Sequence, residues 1–129
     1  MGGDPGLPVC VFLVPLVRDG DRRPHPPVLW RLLQDALIER FGGATGPETV
    51  VWYRDRETIS GAWSPGQGEQ TVTDLSRRYT VALPSDRVAE LRDLLRRVGN
   101  SFDQQAMYLA VAGFAEILEV RSEDGFLGD

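Results

Sequence analysis

The stretch FDQQAMYLAVAG, residues 102–113, decides the fold. A polar turn, Asp103-Gln104-Gln105, leads into a run whose two alternating sets are both largely apolar: Met107/Leu109/Val111 and Ala106/Tyr108/Ala110/Ala112. Read as a strand, such a run is covered on both faces and belongs in the core. Helical spacing competes, since Met107, Val111, Phe114 and Leu118 also share a helical face, and Gln, Ala, Met and Leu favour helix. The strand reading is preferred because the stretch follows a closed helix after a short turn. Gly113 would also weaken a helix by about 1 kcal/mol relative to Ala.

Upstream of this stretch the chain reads as a helix in which Val88, Leu91, Leu95 and Val98 give the apolar face, with Leu94 beside it. Arg87, Arg92, Arg96 and Arg97 look outward, Pro84-Ser85-Asp86 caps the start, and Gly99 closes the end. Before it, Thr71 to Leu83 reads as a long strand with Leu75, Arg77, Tyr79, Val81 and Leu83 on one face. Asp74, Ser76, Arg78, Thr80 and Ala82 form a more polar face. Ser64 to Gly68 is a turn, and Thr58–Trp63 and Thr49–Tyr53 read as β on either side of the charged run Arg54–Glu57.

At the start, Val9 to Val14 is a β-branched, apolar first strand, also read as buried on both faces. Arg18 to Pro27 is a polar, proline-rich loop. Pro26-Pro27 opens a helix over about 28–41 with Leu29, Leu33, Ala36, Leu37 and Phe41 on one face, and Gly42-Gly43 ends it in a left-handed cap. Beyond Gly113, Phe114 to Val120 is a second apolar piece. Residues 1–8 read as a loose start, 9–120 as one α+β domain, and 121–129 as an acidic, frayed tail.

The order strand, helix, strand, strand, helix, strand is the split pattern of a ferredoxin-like βαββαβ domain. In it two helices cover one face of a four-stranded antiparallel sheet, and the other face stays open. An open face of apolar strands wants a cover, and Phe114–Val120 is one candidate. The chain also resembles uncharacterised bacterial ferredoxin-like domains. The matching residues are Gly61-Ala62-Trp63, Ser76-Arg77-Arg78-Tyr79-Thr80-Val81 and Phe102-Asp103-Gln104-Gln105-Ala106, within residues 9–112. That resemblance implies a fold and carries no activity with it.

Composition excludes several chemistries. The 129 residues hold 14 basic side chains, all of them Arg, so neither a Schiff-base lysine nor a P-loop lysine exists. A net charge of −5 disfavours nucleic acid as a partner, because phosphate neutralisation supplies most nonspecific affinity. One cysteine, Cys10, allows no internal disulfide, and its apolar setting reads as a buried thiol in a reducing cytoplasm. No targeting segment stands out, and no run approaches the ~20 apolar residues that span a bilayer. The chain holds a single His and a single Cys, far apart, which gives no metal-ligand pair; neither metal nor cofactor is expected.

Three functional readings follow. The first is a protein-association module, a homodimer formed through the open sheet face, with Phe12, Met107, Tyr108 and Ala110 at the interface. The second is a small-molecule-binding protein or enzyme. It would use the polar row Asp74, Ser76 and Arg78, with Glu57 across a strand and His25 brought in from its loop between Pro24 and Pro26. The third is RNA binding by stacking on Phe12, Trp30, Trp52, Tyr53 and Trp63. It lacks the expected RNA-binding sequence signature and runs against the chain's charge. Gln104 reads as fixing the turn before residues 106–112 in preference to facing a ligand.

Overall fold

The computed structural model describes residues 6–55 and 71–128, with only the backbone of 52–55 and 71–74. The readings placed on residues 56–70, Glu57 and Trp63 among them, lie outside the described residues. Within them the chain forms β1 (Val9–Pro15), α1 (Pro27–Phe41), β2 (Thr45–Asp55), β3 (Thr71–Ala82), α2 (Val88–Ser101), β4 (Ala106–Val111) and β5 (Phe114–Glu119). The strands form one sheet in the order β2-β3-β1-β4-β5, with every neighbouring pair antiparallel. Among the described residues this is an α+β fold with two α-helices and five strands, one strand more than the four expected. The extra strand is the Phe114 piece. It pairs with β4 along its whole length, Phe114 with Val111 and Glu119 with Ala106, and lies at the sheet edge instead of over the open face.

β1 lies between β3 and β4 and alternates strictly. Cys10, Phe12 and Val14 are fully buried, while Val11 and Leu13 are half-buried. The same split runs through β4, where Met107 and Leu109 are buried and Tyr108 and Ala110 are half-buried. The expected burial on both faces therefore holds for one face only. The buried face meets both helices. Leu33 and Leu37 of α1 and Leu91, Leu94, Leu95 and Val98 of α2 join Phe12, Tyr79, Val81, Met107 and Leu109 in one core. Phe12 stacks on Tyr79 across the β1–β3 pair at 5.1 Å between ring centroids. Phe12 and Met107 are thus core side chains and not part of a surface, a correction to the expected interface. Phe12 is equally closed to a stacking base.

The helix ends follow local chemistry. Pro27 stands at the first turn of α1, where its missing N–H is no loss. Gly42 at φ 79° closes the helix and donates to the Ile38 carbonyl at 2.9 Å. α2 begins differently from expectation. Ser85–Arg87 makes a separate 3-10 turn, and no side chain caps the helix. Two arginines expected to face water instead tie elements together. Arg87 donates to the Arg40 carbonyl at the end of α1, and Arg92 grips Glu116 of β5 with two bonds of 2.8 and 3.0 Å. The guanidinium holds the Glu116 carboxyl below its ordinary range.

The last residues are docked. Asn100 donates to the carbonyls of Ser122 and Gly125, the Leu127 N–H donates to Ser101 Oγ, and Leu127 packs on the core. The tail read as frayed is therefore fastened to the end of α2.

Gly99 lies inside α2 and not at its end. A Cβ there would come within 2.9 Å of Met107 Cγ and closer still to the Val120 side chain. The missing side chain is what lets α2 sit down on β4 and the end of β5. Gly99→Ala gains about 1 kcal/mol of helix propensity and loses about 1–3 kcal/mol to overpacking. The variant is expected to unfold at lower urea than the parent, and Gly99→Val lower again. An alanine variant more stable than the parent would show that this contact is not tight.

Candidate functional site

The face turned away from both helices is the candidate site. Strand register places Glu48 beside Arg78, Arg78 beside Leu13, Leu13 beside Tyr108, and Tyr108 beside Ile117, in one row across all five strands. The next row sets Thr80, Val11, Ala110 and Ala115 side by side. The floor over β1, β4 and β5 is apolar and only half-covered, and Ile117 is 63% exposed. Arg78 Nη2 and Glu48 Oε2 form an ion pair at the β2–β3 side, both side chains about half exposed. No described helix packs on this face.

Of the polar group foreseen in the sequence, Ser76 and Arg78 do share this face, and Tyr108 and Ala110 lie on it. Ser76 is buried, and its Oγ has no hydrogen-bond partner among the described residues. The backbone of Asp74 pairs with Trp52, and its side chain is outside the description, as is Glu57. The acid that meets Arg78 is Glu48. It was missed because the sequence reading starts this strand at Thr49, whereas β2 already begins at Thr45.

His25 does not join the row. It is 6% exposed, donates from Nε2 to the Pro15 carbonyl at 2.9 Å, and packs edge-on against Phe102 and Trp30 in the helix layer. Burial is the main cause that pushes its pKa below the ordinary imidazole value. The histidine that the second reading brings to the polar row is therefore an interior side chain on the other side of the sheet's core. Gln104 fixes the turn, donating from Nε2 to the carbonyls of Val17 and Phe102 at 2.9 Å each.

A separate open cavity of about 400 Å³ is lined by Asp93, Arg96, Glu119, Arg121 and Asp124. Both of its arginines are already paired, Arg96 with Asp93 at 3.2 Å and Arg121 with Glu119 at 3.6 Å, and Asp124 accepts from the Arg121 backbone N–H. Among the described residues no three His, Cys, Asp or Glu side chains are grouped to hold a metal ion, and no helix is long and apolar enough to cross a membrane.

No family model and no curated protein matches the chain. Two solved structures are similar in fold. A phage SAM lyase in complex with S-methyl-5'-thioadenosine superposes with a TM-score of 0.55 at 17% identity, covering 95% of this chain and 94% of its own. A phage SAM lyase in the apo state gives 0.52 at 14% identity, covering 95% and 97%. The likeness spans nearly the whole length of both proteins and establishes the fold.

Cys10 belongs to the core at zero exposure, and burial pushes its thiol up from the ordinary value. Labelling by a thiol reagent at neutral pH should therefore be slow and should accelerate in step with unfolding as urea is added. Rapid stoichiometric labelling of the native protein would show that β1 opens on its own.

Proposed function

We propose that the protein acts through the helix-free face of its sheet, and that this face takes a second copy of the chain. The observation that carries the reading is the register row Leu13, Tyr108, Ile117 across three adjacent strands, uncharged side chains of which the first two are half-buried and the third is exposed. An interface core is poor in charge and its rim polar. Here the floor over β1, β4 and β5 carries no charge in the rows described, and the Arg78–Glu48 pair stands to one side. A two-fold axis would lay the apolar floor on itself and leave the ion pairs at the margin, as an isologous contact requires. In the same reading the fold is a ferredoxin-like domain, with β2-β3-β1-β4 as its four strands and β5 added at the edge. The lone buried thiol is in keeping with a cytoplasmic setting.

A second reading is favoured by the neighbour solved with S-methyl-5'-thioadenosine. In it the same face binds an adenosine thioether or sulfonium. The base lies over Leu13 and Tyr108, and Arg78 and Glu48 meet its polar groups. Identity of 17% transfers no residue roles, so this reading rests on fold likeness plus a polar pair beside an apolar floor.

Light scattering on a sizing column decides the first reading. The parent should run at twice the chain mass, and Tyr108→Asp, with helical content unchanged, should run as a monomer. A parent that stays monomeric across micromolar to millimolar concentration ends the self-association reading. For the second, S-methyl-5'-thioadenosine is titrated by calorimetry into the parent and into Arg78→Ala. Saturable heat from the parent, weakened at least about tenfold in the variant, corresponds to losing a charge-assisted bond of roughly 1.5–3 kcal/mol. No heat at millimolar ligand ends that reading and leaves the first untouched.

A further inference from the structure

We propose that His25 is a proton-sensitive latch: its neutral ring fastens the loop between β1 and α1 into the helix layer, and acidification releases that loop. The geometry fixes the ring's chemistry. A carbonyl only accepts, so the 2.9 Å contact to the Pro15 carbonyl requires the proton on Nε2. Nδ1 then carries the lone pair. It is buried and has no hydrogen-bond partner among the described residues. Phe102 stands at 4.7 Å and Trp30 at 5.5 Å between ring centroids, both close to perpendicular to the imidazole. Protonation would place an N–H donor and a positive charge at Nδ1 with no acceptor for them in an aromatic pocket.

The loop is otherwise held by bonds that do not need this ring. Asp103 accepts from the Gly20 N–H, Asp19 accepts from the Gln105 N–H, the Asp19 N–H donates to the Asp103 carbonyl, and Val17 bridges to Pro24. Arg18 also donates from its N–H to the Arg23 carbonyl at 2.9 Å, so the latch adds its hold at the end of the loop nearest α1, between Pro24 and Pro26. The charges around it are mixed. Arg18 and Asp19 come from its own loop, Asp103 from the turn into β4, and Arg77 of β3 covers the Trp30 ring at 4.0 Å. Arg18 opposes a positive imidazole, and Asp19 and Asp103 favour one. The bond to the Pro15 carbonyl also favours the charged ring, but burial outweighs all of these, and the ring's pKa in the fold lies below its ordinary 6.5. The sign follows: the unfastened state binds the proton more readily, so the latch holds fully above about pH 6.5 and weakens as pH falls below it. The opening equilibrium should rise by up to about tenfold per pH unit until the ring protonates in place.

The chain has a single histidine, so its imidazole can be read without assignment ambiguity. Imidazole nitrogen shifts of the full chain are recorded from about pH 7.5 to 5, with amide exchange protection for residues 18–23 and 25, the loop positions that carry an N–H, corrected for the intrinsic rate. The expected result is a proton on Nε2 at neutral pH and loop protection that falls with acid while the protection of β1 holds. In His25→Gln the amide can still donate to Pro15 but cannot titrate, so the acid loss of loop protection should vanish. An Nδ1 proton at neutral pH overturns the proposal. So does a ring that titrates at its ordinary value with loop protection unmoved, or the same acid loosening in His25→Gln. Should His25→Gln not fold, the parent's nitrogen shifts and loop protection decide alone.

Discussion

Everything in this fold hangs on β1 being hydrogen-bonded along both edges. A strand with two partners has its backbone satisfied within the sheet, and only its side chains remain to be placed. Their alternation then sends Cys10, Phe12 and Val14 one way and Val11 and Leu13 the other. Full burial of a large apolar side chain is worth about 1.5–3 kcal/mol. Phe12 and Val14 in the middle of the sheet, with Cys10, Tyr79, Val81, Met107 and Leu109 beside them, choose the face the helices cover. α2 can approach that face closely only because Gly99 has no side chain. β5 is then drawn in by Leu118 and by the Arg92–Glu116 grip.

How much of this could be read in advance depends on how local each signal is. The boundaries of α1 were legible because a proline at the first turn and a left-handed glycine at the end act on their own residues. The strand character of 106–111 was legible from its two apolar sets, though the helical alternative was close. What failed was the inference from two apolar sets to two buried faces. Ala110 and Tyr108 tolerate half exposure, so apolar composition says which residues can be buried and not which are. β5 was missed as a strand because its sequence, FAEILE, offers one buried residue, Leu118, and its pairing partner is β4, not its own pattern. Composition misled most at His25. A loop of prolines and charges looks wet, yet its ring is buried against Trp30 and Phe102.

The candidate site was half legible for a related reason. Alternation, a local rule, puts Ser76 with Arg78 on one side of β3 and Tyr108 with Ala110 on one side of β4; that the two sides are one face depends on how β1 is paired between them. Which acid meets Arg78 could not be assigned from it, since that depends on the register of β2 against β3. The register shifts between Thr45 and Glu48, next to Gly46-Pro47. Glu48 through Asp55 run against Arg78 through Thr71 in one unbroken register, and the shift displaces only the Thr45 pairing before it; that register, which no single strand's pattern reveals, gives Glu48 the place across from Arg78 that the sequence offered to Glu57.

Two surfaces compete for a role, and magnitudes separate them. The cavity between α2 and the end of β5 is lined by five charged side chains whose ion pairs are solvent-exposed, and such pairs are worth about 0–1 kcal/mol. A ligand entering it would have to break pairs already made and would remove little apolar surface from water. The sheet face presents the opposite balance. Val11, Leu13, Tyr108, Ala110 and Ile117 lie in adjacent register, and covering them gains about 25 cal/mol per Å² while disturbing no hydrogen bond of the sheet. Arg78 and Glu48 stand beside that floor, near enough to orient whatever covers it and exposed enough to stay hydrated at its rim. The same arithmetic holds whether the cover is a second sheet or the flat base of a nucleoside. Both readings therefore converge on one face, and they differ in what each asks of Tyr108 and of Arg78.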